Sequence, residues 1–142
     1  MPDIRHSVQI SAPSEAVFAL LSTAQGMAQW WAEDVRQVDD TIELGFFNRN
    51  TVYRLKSELQ RPSTRSEWLC ETGDEWSGTR LIFALEPAGE GTLLRFTHAG
   101  WRNASEYCVS CTTTWGELMY RLKASAEGKS RGPLFLTASL AY

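Results

Sequence analysis

The chain of 142 residues has no apolar run near the roughly 18 residues that a membrane-spanning helix needs. Its first ten residues, MPDIRHSVQI, lack the apolar core of a signal peptide. It has no cluster of basic residues either. Fourteen Lys and Arg are scattered among seventeen Asp and Glu, for a formal charge of −3. That balance argues against binding to nucleic acid or to an anionic membrane surface, both of which call for a basic patch. Cysteine is scarce and odd in number. Cys70, Cys108 and Cys111 suit a reducing compartment, the cytoplasm, better than a disulfide framework. No phosphate-binding glycine loop, GxGxxG or nucleophile elbow is present. The acidic residues fall mostly at turns or at outward positions, and no two form the carboxylate pair of a glycosidase or an aspartic protease. With two histidines, His6 and His98, and no third ligand at a suitable spacing, a metal site has no support, and no cofactor is implied.

Aromatic side chains are abundant, with six Trp, six Phe and four Tyr. Such wide, rigid groups suit a large core or the wall of a cavity. At this length the chain is one domain, able to bury about two-thirds of its unfolded surface without a disulfide or metal.

Alternation of Ile4, His6, Val8 and Ile10 with polar residues marks a half-buried first strand. SAPSEAVFALLS then reads as a helix. Pro13 suits its first turn, Glu15 suits the positive end of its dipole, and Val17, Leu20 and Leu21 form its apolar stripe. A short helical piece around Ala24–Trp31 follows. One of Trp30 and Trp31 is expected to pack inward and the other to stay partly exposed. From Val35 to His98 the period is two, with strands at 35–39, 41–46, 51–60, 65–71, 79–86 and 92–99. Turn-forming clusters separate them, as in an antiparallel meander. Cys108, Cys111, Trp115, Leu118 and Leu122 then step by three and four, one stripe of a long helix over roughly Ala104–Ala126 that Gly128 stops. The order β-α-α-β6-α is an α+β layout, a curved antiparallel sheet of about seven strands gripping a long C-terminal helix. The domain is placed at residues 1–133. The apolar positions Leu134, Phe135, Leu136 and Leu140 of the remaining tail, 134–142, need a surface to cover, on this chain or on a second copy.

Four stretches carry a family resemblance: ISAPSEAVFALLS, MAQWWAEDV, GTRLIFALEPAGEGTLLRFTHAGW and TTWGELMYRLKASAEGKSRGP. In order and wording the chain resembles the helix-grip superfamily of START/Bet v 1-like domains, and within it the activator of Hsp90 ATPase homologue 1-like family. NASEYCVSC and the segment after Pro133 depart from that pattern. The resemblance implies a cavity between sheet and closing helix. It also implies a range of roles, from binding lipids, hormones or polyketides, through cyclase or hydrolase chemistry, to Hsp90 co-chaperone work. Fold does not choose among them.

Within that frame the candidate ligand-binding side chains are Tyr53, Trp68, Phe83, Phe96, His98, Tyr107, Cys111 and Trp115. His98 has three readings: a cavity residue that hydrogen-bonds a ligand, a general base, or a core imidazole bonded to the closing helix. Tyr53 and Tyr107 are the other polar anchors of an otherwise apolar pocket. Cys108-Val-Ser-Cys111 has the spacing of a redox motif at a helix start. Both sulfurs also sit on the apolar stripe, where they serve as small core residues. The turns 48–50 and 74–78 are expected at the cavity mouth. The expected function is non-enzymatic binding of a small hydrophobic or amphipathic ligand. The alternatives are a chaperone-docking module, with an exposed patch at Trp30 and the tail, and a polyketide-cyclase-like enzyme using His98. The apolar tail also makes a homodimer a candidate assembly.

Overall fold

The computed structural model describes residues 2–137. Its elements run β1 (Ile4–Ile10), α1 (Ser14–Ser22), α2 (Ala24–Met27), β2 (Asp34–Val38), β3 (Thr41–Phe46), β4 (Thr51–Arg61), β5 (Arg65–Cys70), β6 (Arg80–Ala88), β7 (Gly91–Ala99) and α3 (Glu106–Ala126). Seven strands form one antiparallel sheet in the order β1-β7-β6-β5-β4-β3-β2. Each consecutive pair from β2 to β7 is a hairpin, and β1 closes the far edge against β7. This is the α+β layout expected from the period change along the chain, and the helix-grip architecture that the resemblance implies.

The register aligns the inward residues into continuous rows. Ile4 pairs with His98, His6 with Phe96 and Val8 with Leu94. Across the next ladder Leu81 meets His98 and Phe83 meets Phe96. Trp68 meets Leu81, Leu55 meets Cys70, and Ile42 meets Leu55. A bulge between Ser57 and Leu59 shifts the β4–β5 register by one residue, which bends the sheet locally.

α3 lies against the sheet, mainly over β1. Ser105 caps it by accepting from the Cys108 amide, which satisfies one of the orphan donors of the first turn. Its stripe of Cys108, Cys111, Trp115, Leu118, Met119 and Leu122 is buried. Gly128, at φ 79°, ends it as expected. α1 is preceded by Pro13 at its N-cap position. α2 approaches α1 so closely that a Cβ on Gly26 would fall 2.3 Å from the Ala19 carbonyl oxygen. Only glycine fits there.

The helical piece at 24–31 is shorter than its sequence suggests. α2 ends at Met27, and the chain turns through Trp30 and Trp31. The expectation that one of these tryptophans stays exposed is corrected. Trp30 is fully buried and Trp31 is 1% exposed. The Trp30 indole donates to the Leu20 carbonyl at 2.9 Å, so the turn is pinned beneath α1, and the two indoles stack at 5.4 Å.

The segment after Pro133 covers this turn. Leu134 N donates to Trp30 O, Phe135 N donates to Trp31 O, and Glu33 N donates to Phe135 O. The Glu33 carboxylate accepts from the amide and hydroxyl of Thr137, which holds its pKa below the usual carboxylate range. Leu134 and Phe135 therefore find their surface on this chain, while Leu136 stays 47% exposed. Leu140 lies outside the described residues.

Candidate functional site

A cleft of about 270 Å3 opens between the β3–β4 end of the sheet and α3. β3 and the turn after it supply Phe46 and Phe47, and β4 supplies Thr51 and Tyr53. The loop between β5 and β6 contributes Trp76. α3 contributes Tyr107, Ser110, Cys111, Thr114, Trp115 and Leu118, while Trp31 and Phe135 close the inner end. No lining side chain carries a charge. The walls are aromatic planes in contact. Tyr53 stacks on Trp76 at 4.4 Å, Trp31 meets Trp115 at 5.0 Å, and Phe46 meets Phe135 edge-on at 5.0 Å. Such a wall sheds water readily and offers faces to a flat or greasy guest.

At the rim the hydroxyls of Tyr53 and Tyr107 are 2.6 Å apart and join β4 to α3. Burial and this bond push the Tyr107 hydroxyl well above the ordinary phenol range, so it remains a neutral donor and acceptor. A second, more open and polar chamber adjoins the cleft. It shares Thr51, Tyr53 and Tyr107 and adds Asn50, Val52, Gly73, Asp74 and Glu75. The turns after β3 and β5 thus border the opening, the region expected for the mouth.

Of the eight side chains singled out in the sequence, Tyr53, Tyr107, Cys111 and Trp115 line the cleft. Trp68, Phe83, Phe96 and His98 do not. They form the layer beneath it, each at most 2% exposed. Phe96 packs on the inner side of Trp115 at 4.2 Å, and the Trp68 indole donates to the Leu21 carbonyl.

His98 is fully buried and boxed by Trp76, Trp101 and Trp115. An indole N–H only donates, so Trp115 Nε1, 3.2 Å from His98 Nδ1, fixes that nitrogen as the acceptor. The proton then sits on Nε2 and points to Thr79 Oγ1 at 2.8 Å, whose own hydroxyl donates to the Trp76 carbonyl. Both ring nitrogens are engaged and no carboxylate is among these partners. Burial alone depresses the pKa to about 3. This imidazole is a neutral strut between β7, α3 and the loop that carries Trp76. That arrangement matches the core-histidine reading and leaves no nitrogen facing the cleft. His6 bonds instead to the Thr112 carbonyl through Nε2 at 3.2 Å.

The cysteines are free thiols, all buried. Burial pushes Cys70 up to about 12 and raises Cys108 and Cys111 as well, with Glu75 adding to the shift at Cys108. Helix-start redox cysteines have lowered values, so this CxxC has the opposite electrostatics. Cys111 nevertheless faces the cleft, where the Trp76 indole and the Tyr107 hydroxyl partly counter the effect of burial. Among the described residues no group of three His, Cys, Asp or Glu is placed to hold a metal ion.

Trp76, Phe135, Phe47, Ser110 and Thr114 were not singled out from sequence. Trp76 carried a readable signal: an indole inside the polar turn DEWSG is out of place unless it folds inward. Its ring is 5% exposed and its N–H makes no hydrogen bond to nitrogen or oxygen.

A curved sheet gripping one long helix over an aromatic cleft defines the helix-grip class. Within that class, a family described as "Activator of Hsp90 ATPase homolog 1-like protein" matches residues 11–127, and the chain belongs to this family. Among solved structures, the Aha1 dimer from Colwellia psychrerythraea is 28% identical, with a TM-score of 0.81 over 91% of this chain and 98% of that one. An AHSA1-like protein from Rhizobium etli is 24% identical, with a TM-score of 0.68 over 99% and 92% of the two chains. DynU16, from the dynemicin biosynthetic locus, shares the fold at 16% identity and a TM-score of 0.73, over 94% of this chain and half of its own. No curated protein matches the chain. No helix among the described residues is long and apolar enough to cross a membrane.

Proposed function

We propose that the protein binds a small hydrophobic or amphipathic molecule in the cleft between sheet and α3, without chemical turnover. The observation that carries this reading is an uncharged, aromatic-walled space of about 270 Å3 with two phenol hydroxyls at its rim. An apolar cavity of about 150 Å3 accommodates a benzene molecule, so this one suits a two-ring guest. Burying such a guest contributes roughly 25 cal/mol for each Å2 of apolar surface removed from water. His98 takes no part in chemistry on this reading, because its nitrogens are engaged below the cleft floor. Three buried free thiols suit a reducing compartment such as the cytoplasm.

The test is titration with 2-naphthalenemethanol, followed by tryptophan fluorescence and calorimetry. Saturable one-to-one binding is expected, and it should be abolished in Ser110→Trp. That substitution fills the cleft from an exposed helix position and leaves the core residues in place. Equal binding by the variant would sink the reading.

A second reading follows from the relative described as a dimer. Val109 and Tyr120, 54% and 63% exposed, stand three turns apart on one outer stripe of α3, and a second copy is the occupant we propose for it. Sedimentation of wild type and Tyr120→Glu tests this. A wild-type monomer would end it. The chaperone-docking alternative loses Trp30 as its exposed anchor and retains only Leu136 of the described tail residues. Pull-down with the cognate Hsp90 and an ATPase assay decide it.

A further inference from the structure

The cleft has a charge pattern that its apolar wall conceals. The inner chamber is lined by no ionisable carboxylate and no cation, whereas the adjoining outer chamber holds two carboxylates, Asp74 and Glu75, and no Lys or Arg. The two chambers meet at Tyr53 and Tyr107. The arginines on the neighbouring strands are held elsewhere: Arg49 by Asp34 and Glu43, Arg54 by Glu43, and Arg80 by Glu58. Glu75 accepts from Ser105 Oγ with one oxygen, which fixes it beside the start of α3. Asp74, one residue earlier, is exposed and makes no hydrogen bond or ion pair among the described residues. The junction itself is aromatic. Tyr53 lines both chambers and is backed by Trp76, stacked on it at 4.4 Å, and a tyrosine ring attracts a cation over the face it leaves open. An anion meets two carboxylates and no Lys or Arg, and the N-terminal end of α3 is already engaged by Glu75 through its cap Ser105.

We infer that the ligand is an amphipathic organic cation, with a body of one or two rings in the inner chamber and an ammonium group in the outer chamber beside Asp74 and Glu75. This rests on the cleft being a ligand site, and it adds what the apolar wall alone does not specify, the sign of the head group. The same geometry disfavours fatty acids, aryl carboxylates and phosphorylated lipids.

Three probes with one ring system and three head groups test it: 2-naphthylmethylamine, 2-naphthalenemethanol and 2-naphthoate, titrated at pH 7 in low salt by tryptophan fluorescence and calorimetry. The ammonium probe is expected to bind roughly three- to tenfold tighter than the alcohol, the range of a partly exposed ion pair with a cation–π contact. The carboxylate is expected to bind weaker than the alcohol. The advantage of the ammonium should shrink at 150 mM salt and fall to about one in the double variant Asp74→Asn, Glu75→Gln, whose folding is checked by its melting curve. Equal binding of all three probes, preference for the carboxylate, or an ammonium advantage that survives in the double variant would each overturn the inference and leave the cleft as a ligand site. Failure of all three to bind would overturn both.

Discussion

His98 is a buried base held neutral by burial alone, and that makes it a quantitative handle on the fold. Its pKa lies near 3 in the folded chain against 6.5 for an exposed imidazole. The folded state therefore resists a proton that the unfolded state accepts. The stability that His98 contributes is complete above about pH 6.5 and is lost as pH falls from there toward 3. Each pH unit inside that window costs up to about 1.4 kcal/mol. By pH 5 the loss is about 2 kcal/mol, and the full window amounts to about 5 kcal/mol. For a chain of this size, 2 kcal/mol is a fall in Tm of roughly 6–8 °C. The groups around the ring are Trp76, Trp101, Trp115 and Thr79. None of them titrates in this range.

The assay is urea unfolding of wild type and His98→Gln at pH 7.5, 6.5, 5.8 and 5.0. Glutamine does not titrate, so the variant should be less stable at pH 7.5 yet show a shallower dependence on pH. The difference in slope isolates His98 from every other ionisable group. Long-range 1H–15N spectra of the wild-type ring at pH 5 give a second readout and should still show the neutral tautomer protonated on Nε2. Parallel pH dependence of the two proteins, or a doubly protonated ring at pH 5 in the folded state, would refute the assignment.

Thr79→Val removes the partner of His98 Nε2 without changing shape, leaving a buried N–H unpaired. A loss of about 1–3 kcal/mol is expected in urea unfolding. Thiol labelling at pH 8 should be slow for the native protein and slowest at Cys70, whose pKa is pushed up to about 12. Rapid modification of two thiols before unfolding would contradict the buried placement of the cysteines. Ending the chain at Pro133 removes Leu134 and Phe135 from the cover over Trp30 and Trp31. It should cost about 2 kcal/mol by the apolar area lost and should weaken binding of 2-naphthalenemethanol. An unchanged melting curve would show that the tail contributes nothing.

The period of the apolar pattern sufficed for the sheet and for α3, because alternation and the three-four step are properties of neighbouring residues. Strand boundaries inferred from turn residues lie within one or two positions of those observed, as at Thr51–Arg61 and Arg80–Ala88. The cleft was only partly legible. Alternation places Trp68, Phe83 and Phe96 on the inward face, but it does not say how deep each lies. Depth depends on where the helices cross the sheet: α3, near β1, sets Trp115 on Phe96, while α1 lies over β5 and β6 and takes the Trp68 indole at its Leu21 carbonyl. Trp76 and Phe135 come from segments without periodicity: Trp76 is hinted at only as an indole in a polar turn, and Phe135, within PLFL, only as an apolar side chain in need of some surface. The fate of His98 depended on two partners 17 and 19 residues away in the chain, beyond the reach of any local pattern.

The crowding of indoles has an optical consequence. Trp31 touches Trp30, Trp76 and Trp115 within 6.4 Å, and Trp76 and Trp115 lie nearly parallel at 6.1 Å. Transition dipoles this close and this rigidly oriented couple, so the near-ultraviolet circular dichroism should carry an intense, split band absent from the unfolded chain. Three of these four rings are walls of the cleft. A guest that slides between them alters the coupling itself, and occupancy becomes visible in the protein's own spectrum, with no label attached.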